Sequence, residues 1–328
     1  MTWRRVKQVA VGLLLVAAVV ELVRRRHELL SAVPLLAHPR YLFLGGAVLA
    51  EAASVFALAR VEWLFLQPGG VHIRTTEMAE LTAAHNAITM SVPGGVAWST
   101  AFLFQQLRRR GADRTLAGWD VLISGATSSF CLFLVLAAGI ELTEGGPTAA
   151  AKVPVAFLAA IPPVVAVVVV ILHLRGMSYS DLVGWVADRL SRWKSARRWV
   201  LETSTRLRRY QPSPFQWGRA MAASMVNWLA DLGCLVLCIG ALHFHVPWPG
   251  VLVAYALAKV AGMLPITPGG LGVVEAGLTG LLAVYGMPAS RGLAVSLLYR
   301  LISFWALLPV GWGYWFYLRA HTPARSPS

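Results

Sequence analysis

Seven ionisable residues stand inside long apolar stretches of this chain: Glu21, Glu51, Arg60, Asp231, Lys259, Glu275 and Arg300. An ionised side chain in hydrocarbon is costly unless paired or hydrated, so such residues are candidates for ligand binding, ion relay or structural pairing. Arg300 carries a planar guanidinium that can hold a phosphate through two parallel hydrogen bonds, and Lys259 offers a second point charge. Glu275 follows the triplet Pro268-Gly269-Gly270 by five residues, in the first turns of the helix expected after Gly270. Free backbone amides at such a helix start attract an anion, either a lipid phosphate or the Glu275 carboxylate itself. Asp231 has Asn227 one turn away on the same helix face, a pattern that suits an interhelical hydrogen bond as well as a ligand. Glu21, Arg60 and Glu62 lie near the ends of apolar stretches, where snorkelling to the interface competes with function.

Other chemistries lack their residues. The eight histidines are scattered without metal-ligand spacing, and neither a phosphate-binding glycine loop nor a nucleophile elbow occurs. The expectation is therefore no catalytic residue, no metal, no cofactor and no enzymatic activity. The three cysteines, Cys131, Cys234 and Cys238, all lie in apolar segments, so they are expected to pack as small hydrophobes rather than form disulfides.

The elements that must position these side chains follow from composition. Of 328 residues, 57% are hydrophobic and 13% charged, about half the charge of a soluble domain. The stretches Val121 to Ile140, Val153 to Leu174, Leu232 to Ala258 and Leu301 to Leu318 contain no Asp, Glu, Lys or Arg. Runs of about 18 or more such residues read as membrane-crossing helices. The fold class is an all-α polytopic membrane protein with about six full spans. These are an uncleaved first span around Val9 to Val20, then spans near Tyr41 to Phe65, Gly118 to Ile140, Val153 to Leu174, Gly218 to Ala241 and Gly292 to Tyr317.

Two further apolar stretches, Met78 to Phe104 and Val251 to Tyr285, are each interrupted by Pro-Gly-Gly: Pro93, Gly94 and Gly95, then Pro268, Gly269 and Gly270. Proline removes a backbone donor and glycine weakens a helix, so each stretch is expected to be two short helices forming a re-entrant hairpin. The breaks are 175 residues apart, and the offset also relates Gly111 to Gly286 and Thr115 to Ser290. This spacing predicts an inverted repeat of span, hairpin and span, with repeat 1 over about 41–141 and repeat 2 over about 216–317. Such repeats, with broken helices meeting near the midplane, are an architecture of secondary transporters. At the first break Thr100 takes the place of Glu275, so the halves are not chemically equivalent.

The net charge of +14 invites a nucleic-acid reading, but the positive-inside rule accounts for it better. With both termini cytoplasmic, 20 basic residues fall inside and 7 outside, the outside set including the cluster Arg24 to Arg26. The segment 175–219 interleaves Trp185, Trp193 and Trp199 with ten basic residues and is expected to form a cytoplasmic amphipathic surface on anionic lipid. Tryptophans near span ends, among them Trp3, Trp217, Trp248 and Trp315, suit interfacial anchoring.

The run from Leu264 through Pro268-Gly269-Gly270 to Glu275, with Gly286, Ala294 and Tyr299-Arg300 beyond it, resembles the signature of the lysylphosphatidylglycerol synthase transmembrane-region family, also called flippase-like. Arg60, Val92-Pro93-Gly94-Gly95 and Gly111 resemble family positions in the first half, with Ala97 where a glycine is expected. The resemblance covers nearly the whole chain. It implies a cytoplasmic-membrane protein that moves a phospholipid, or a lipid with an aminoacylated or otherwise modified head group, between leaflets. The chain is expected to be a stand-alone member without the aminoacyl-transferase domain of the fused proteins.

The substrate-binding residues expected on these grounds are Arg300, Glu275, Lys259, Asp231 and Arg60, with Pro93, Gly94, Gly95, Thr267, Pro268, Gly269 and Gly270 at the breaks. Arg300 and Lys259 would receive phosphate, Glu275 and Asp231 a cationic head group or a coupling proton. Expected partners are anionic membrane phospholipids and a separately encoded lipid-modifying synthase, with no nucleic acid and with homo-oligomerisation open. The alternative is a membrane-embedded enzyme or accessory subunit acting on polyprenyl- or phospholipid-linked cell-envelope precursors.

Overall fold

The computed structural model describes residues 34–92, 94–143, 210, 212–248, 250–263 and 267–321. The first and fourth expected spans, Pro93 and most of the basic segment 175–219 lie outside the described residues. The elements are helical, with no strand among the described residues: α1 (Tyr41–Leu66), α2 (Thr75–Ser91), α3 (Gly95–Arg109), α4 (Arg114–Leu142), α5 (Pro214–Ala241), α6 (Gly250–Gly262), α7 (Val273–Val284), α8 (Ala289–Arg300) and α9 (Leu307–His321). A five-residue π turn, Leu301–Trp305, joins α8 to α9.

Among the described residues, four helical runs are long and apolar enough to cross a membrane: Tyr41–Gly69, Arg114–Leu142, Pro214–Ala241 and Ala289–His321. They coincide with the second, third, fifth and last spans expected from hydropathy. Two begin four residues earlier than expected, because polar caps set helix starts and hydropathy does not register them. Asp113 accepts a hydrogen bond from the Leu116 N–H at 2.6 Å and so opens α4 at Arg114. Ser213 and Gln216 form a reciprocal capping box ahead of Pro214, which opens α5.

Both Pro-Gly-Gly sequences interrupt their helices. α2 ends at Ser91 and α3 starts at Gly95, with Gly94 in the left-handed region at φ 67°. α6 ends at Gly262, and α7 starts at Val273 after a tight turn over Pro268–Gly270. Gly269, at φ 53°, lies so close to α2 that an added Cβ would sit 3.1 Å from the Met90 Cα. The second break is therefore wedged against the helix end that leads into the first break.

Element boundaries repeat at the offset read from the sequence: Leu66 and Ala241, Thr75 and Gly250, and Arg114 and Ala289 are each 175 residues apart. The packing crosses between the halves. The most extensive seam joins α1 to α5, while α9 packs on α2 and α4 packs on α6. One core cluster, with Leu235, Tyr255, Leu278 and Val295, sits among α5 to α8 and takes in Ala47 of α1 and Leu132 and Leu136 of α4. A second, with Met78, Leu81, Leu103 and Leu116, sits among α1 to α4 and takes in Leu318 of α9. Leu42 and Leu49 on α1, Leu122 on α4, and Val226 and Leu229 on α5 face outward. In an aqueous protein such faces would be a liability, whereas hydrocarbon solvates them. The three cysteines are free and buried within the core.

Candidate functional site

The break between α6 and α7 creates the first part of the site. Helix α7 starts with exposed backbone amides, and the Glu275 carboxylate turns back to accept the Gly272 N–H at 2.7 Å. Of the two anions that could occupy this helix start, the protein's own carboxylate is there. The other oxygen of Glu275 accepts from Arg300 Nε at 2.7 Å, and Arg300 Nη2 donates to the Gly269 carbonyl at 3.0 Å. The guanidinium also lies over the Phe304 ring, 4.1 Å from its centroid. Phe304 reaches it from within the π turn, which widens the helix directly after Arg300; such turns recur at functional positions. Arg300 is thus buried at the end of α8 and locks the break in place.

A second group lies along α5, α6 and α8. The Asp231 carboxylate accepts hydrogen bonds from Tyr299 (2.6 Å) and Tyr255 (2.8 Å) and forms an ion pair with Lys259 at 2.5 Å. Lys259 Nζ also lies 5.3 Å and 5.7 Å from the ring centroids of Tyr299 and Tyr255. The spacing on α6 explains the pairing, since Tyr255 and Lys259 are one turn apart and meet Asp231 from the same face. The Lys259 side chain keeps 25% of its surface exposed, against 6% for Asp231, so the ammonium marks the open end of the group. Glu51 of α1 comes within hydrogen-bonding reach of Asp231, with its outer oxygen buried and without a hydrogen-bond partner among the described residues. Below it, Ser54 of α1 donates to Asn227 of α5 at 3.1 Å.

The remaining expected site residues divide. Thr267, Pro268, Gly269 and Gly270 form the second break beside Arg300, and the buried Thr267 hydroxyl has no hydrogen-bond partner among the described residues. Gly94 and Gly95 form the first break. There the hydroxyl of Thr89 on α2 donates to that of Ser99 on α3 at 2.7 Å, and Trp312 of α9 donates to Ser91 at 2.9 Å. Arg60 belongs to neither group: it stacks on Trp63 at 4.1 Å and donates to Thr75 at 3.2 Å, tying the end of α1 to the start of α2. Pro93 lies outside the described residues.

Sequence reasoning did not single out Tyr255 or Phe304, and named Tyr299 only within the family resemblance and not as a site residue, because a tyrosine or phenylalanine in an apolar run is indistinguishable from core. The one available signal was spacing, with Tyr255 four residues before Lys259 and Tyr299 adjacent to Arg300. Two surface recesses lie elsewhere. One, of about 540 Å³, is lined by Phe104, Gln105, Arg108, Arg109 and Arg114. The other, of about 500 Å³, is lined by residues from Trp63 to Arg74. Neither includes Arg300, Glu275, Lys259 or Asp231.

A family model described as the lysylphosphatidylglycerol synthase TM region matches residues 8–311 of the chain. Among curated proteins, a UPF0104 membrane protein of Methanothermobacter thermautotrophicus is 32% identical over 88 residues, which is 27% of this chain and 26% of the relative. A second UPF0104 membrane protein of that organism is 33% identical over 88 residues, 27% of this chain and 25% of the relative. The uncharacterized protein slr0712 of Synechocystis sp. is 36% identical over 86 residues, 26% of each chain. The chain thus aligns with about a quarter of the length of these relatives.

Proposed function

The chain belongs to the lysylphosphatidylglycerol synthase TM region family and is a membrane protein with several apolar spans; on that premise we propose that it moves a phospholipid between leaflets. The observation that carries this reading is the two ion pairs Arg300–Glu275 and Lys259–Asp231, each joining a buried residue of α8 or α5 to a partly buried one of α7 or α6, the helices that flank the second break, where that break meets α2. A zwitterionic or aminoacylated head group carries a phosphate and an amine. It can exchange into both pairs, the phosphate replacing a carboxylate on Arg300 or Lys259 and the amine taking the released Glu275 or Asp231. Each charge is neutralised before and after the exchange, which keeps the desolvation cost low in hydrocarbon. The unpartnered Thr267 hydroxyl beside the break supplies a further donor.

In this reading the two halves form an inverted repeat whose hairpins dip into the bilayer from opposite faces, with both termini cytoplasmic. The matched element boundaries and the contact of Gly269 with the end of α2 support it. The acyl chains stay in the surrounding lipid, against the outward apolar faces. The role is transport rather than covalent chemistry, and a separately encoded synthase supplies any modified head group.

The test is leaflet exchange of a fluorescent phospholipid in proteoliposomes, judged by quenching of the outer leaflet. Wild-type protein is expected to accelerate exchange. Lys259→Gln, which leaves the Arg300 lock untouched, is expected to abolish it while the protein still expresses and folds, with a lowered melting temperature because Asp231 loses its cation. Exchange by Lys259→Gln at the wild-type rate would sink the reading. A chemically altered lipid in the wild-type vesicles would replace it with the enzyme alternative.

A further inference from the structure

Asp120 lies in α4 and is fully buried, and both its carboxylate oxygens lack a hydrogen-bond partner among the described residues. An ionised carboxylate is not held in such a place without compensation, because its desolvation cost far exceeds that of the neutral acid. The neighbouring group deepens the problem. Glu62 of α1 is close enough to act electrostatically on Asp120 and is itself buried, at 3% exposure. One Glu62 oxygen accepts from Thr82 of α2 at 2.6 Å, and the other lies 3.8 Å from Nδ1 of His85, also on α2.

Among the described residues no cation is paired with Asp120. Of the helices packed on α4, α1 brings Glu62, Glu51 and Arg60, and Arg60 is held by Trp63 and Thr75 while Glu51 faces Asp231. On α3, Arg108 and Arg109 line a surface recess, and Arg108 donates to the Ala112 carbonyl. On α5, Arg219 stacks over Phe215 and Asp231 is bound to Lys259, the cation of α6. A protonated, neutral carboxyl fits this enclosure without a cation beside it.

The geometry points to a proton-binding site at Asp120, loaded through His85 and Glu62, which couples proton movement to the lipid movement proposed above. Side-chain exposure falls along this order, from 20% at His85 to 4% at Glu62, and Asp120 is enclosed. A partly exposed imidazole at the rim can take a proton from water and pass it inward to a carboxylate, the chemistry of intramembrane relays. The proton leaves as hydronium when the site opens to water, so no other reactant is needed. The coupling rests on the translocation reading; the proton site does not.

The test separates the two. Infrared spectra of the wild-type protein in nanodiscs at neutral pH are expected to show the C=O band of a protonated carboxylic acid. The band should shift when aspartate carboxyls carry carbon-13 and vanish in Asp120→Asn. Isotope labelling separates aspartate from Glu51 in the wild-type protein, and Asp231→Asn, which is expected to keep the band, separates Asp120 from Asp231. In proteoliposomes, an imposed pH gradient is expected to bias the leaflet distribution of a fluorescent phospholipid with wild-type protein and lose that effect with Asp120→Asn. Absence of an aspartate-sensitive band, or a band that responds to sodium at fixed pH, overturns the proton site. An equal gradient response in wild type and Asp120→Asn overturns the coupling. A correct band in a protein that moves no lipid keeps the proton site and removes the translocation reading instead.

Discussion

The two halves of the molecule repeat their helices at one offset but secure their breaks by different chemistry. In the second half a buried ion pair does it: Arg300 holds Glu275 and the Gly269 carbonyl together. In the first half the same task falls to hydroxyls, Thr89 on Ser99 and Trp312 on Ser91, and glycine stands at position 125, where the offset from Arg300 lands. The charge balance differs in the same sense. Asp231 has two tyrosine donors and a lysine, whereas Asp120 has no hydrogen-bond partner among the described residues. Matching element boundaries therefore carry different side-chain chemistry, ion pairs in one half and a carboxylate without a hydrogen-bond partner among the described residues in the other.

The contrast breaks most directly at Arg300. Arg300→Ala leaves Glu275 buried without its cation and is expected to cost about 3–5 kcal/mol, read as a large fall in the detergent melting temperature. Arg300→Ala combined with Glu275→Ala should recover much of that stability while lipid exchange stays lost; recovery of exchange would mean that the pair only braces the fold.

Next come the glycines. Gly269→Ala meets both a left-handed backbone and the wall of α2, and is expected to abolish exchange and lower the melting temperature. Gly94→Ala has the same backbone strain but open space around it, and should cost only about 1–2 kcal/mol. Equal effects would show that the second break is not wedged. Thr89→Val removes the hydroxyl bridge of the first break, for about 1 kcal/mol, clearly less than Arg300→Ala.

A comparably small effect is expected at Asp113, outside both groups. Burial raises its pKa, but hydrogen bonds from the Leu116 N–H, the Tyr210 hydroxyl and the Thr115 N–H, together with the Arg108 charge, outweigh this and hold the carboxyl below its usual range. The folded value is the depressed one, so its stabilisation is full above the ordinary carboxylate pKa and fades as pH falls through the folded value. Asp113→Ala should cost about 1 kcal/mol at neutral pH, and the difference from wild type should vanish on acidification.

How far the sequence reached depended on what kind of signal each feature leaves. The breaks were legible because proline and glycine act locally, and the offset carried them from one half to the other. Glu275 and Arg300 were legible without the offset, since an ion in an apolar run stands out without any structure. Their mutual pairing was not legible, because it depends on the depth of α7 relative to α8. Asp120 escaped because the charge-free run begins at Val121, which makes the aspartate look like a helix-end residue; the cap at Asp113 places it well inside α4 instead. Glu62 was read as an end-of-span residue for the same reason, until Thr82 and Asp120 appeared around it.

The seam between α1 and α5 has a consequence for biogenesis. During synthesis α1 emerges from the ribosome well over a hundred residues before α5 (Tyr41–Leu66 against Pro214–Ala241). Until α5 arrives, Glu51 and Ser54 have no Asp231 or Asn227 to meet, and the nascent N-terminal half must wait in the bilayer with polar groups uncovered. The chain is thus committed to late, post-insertion assembly. A fragment ending near Thr143 is expected to be retained by the insertion machinery or degraded, and co-expression of residues 210–321 is expected to rescue it.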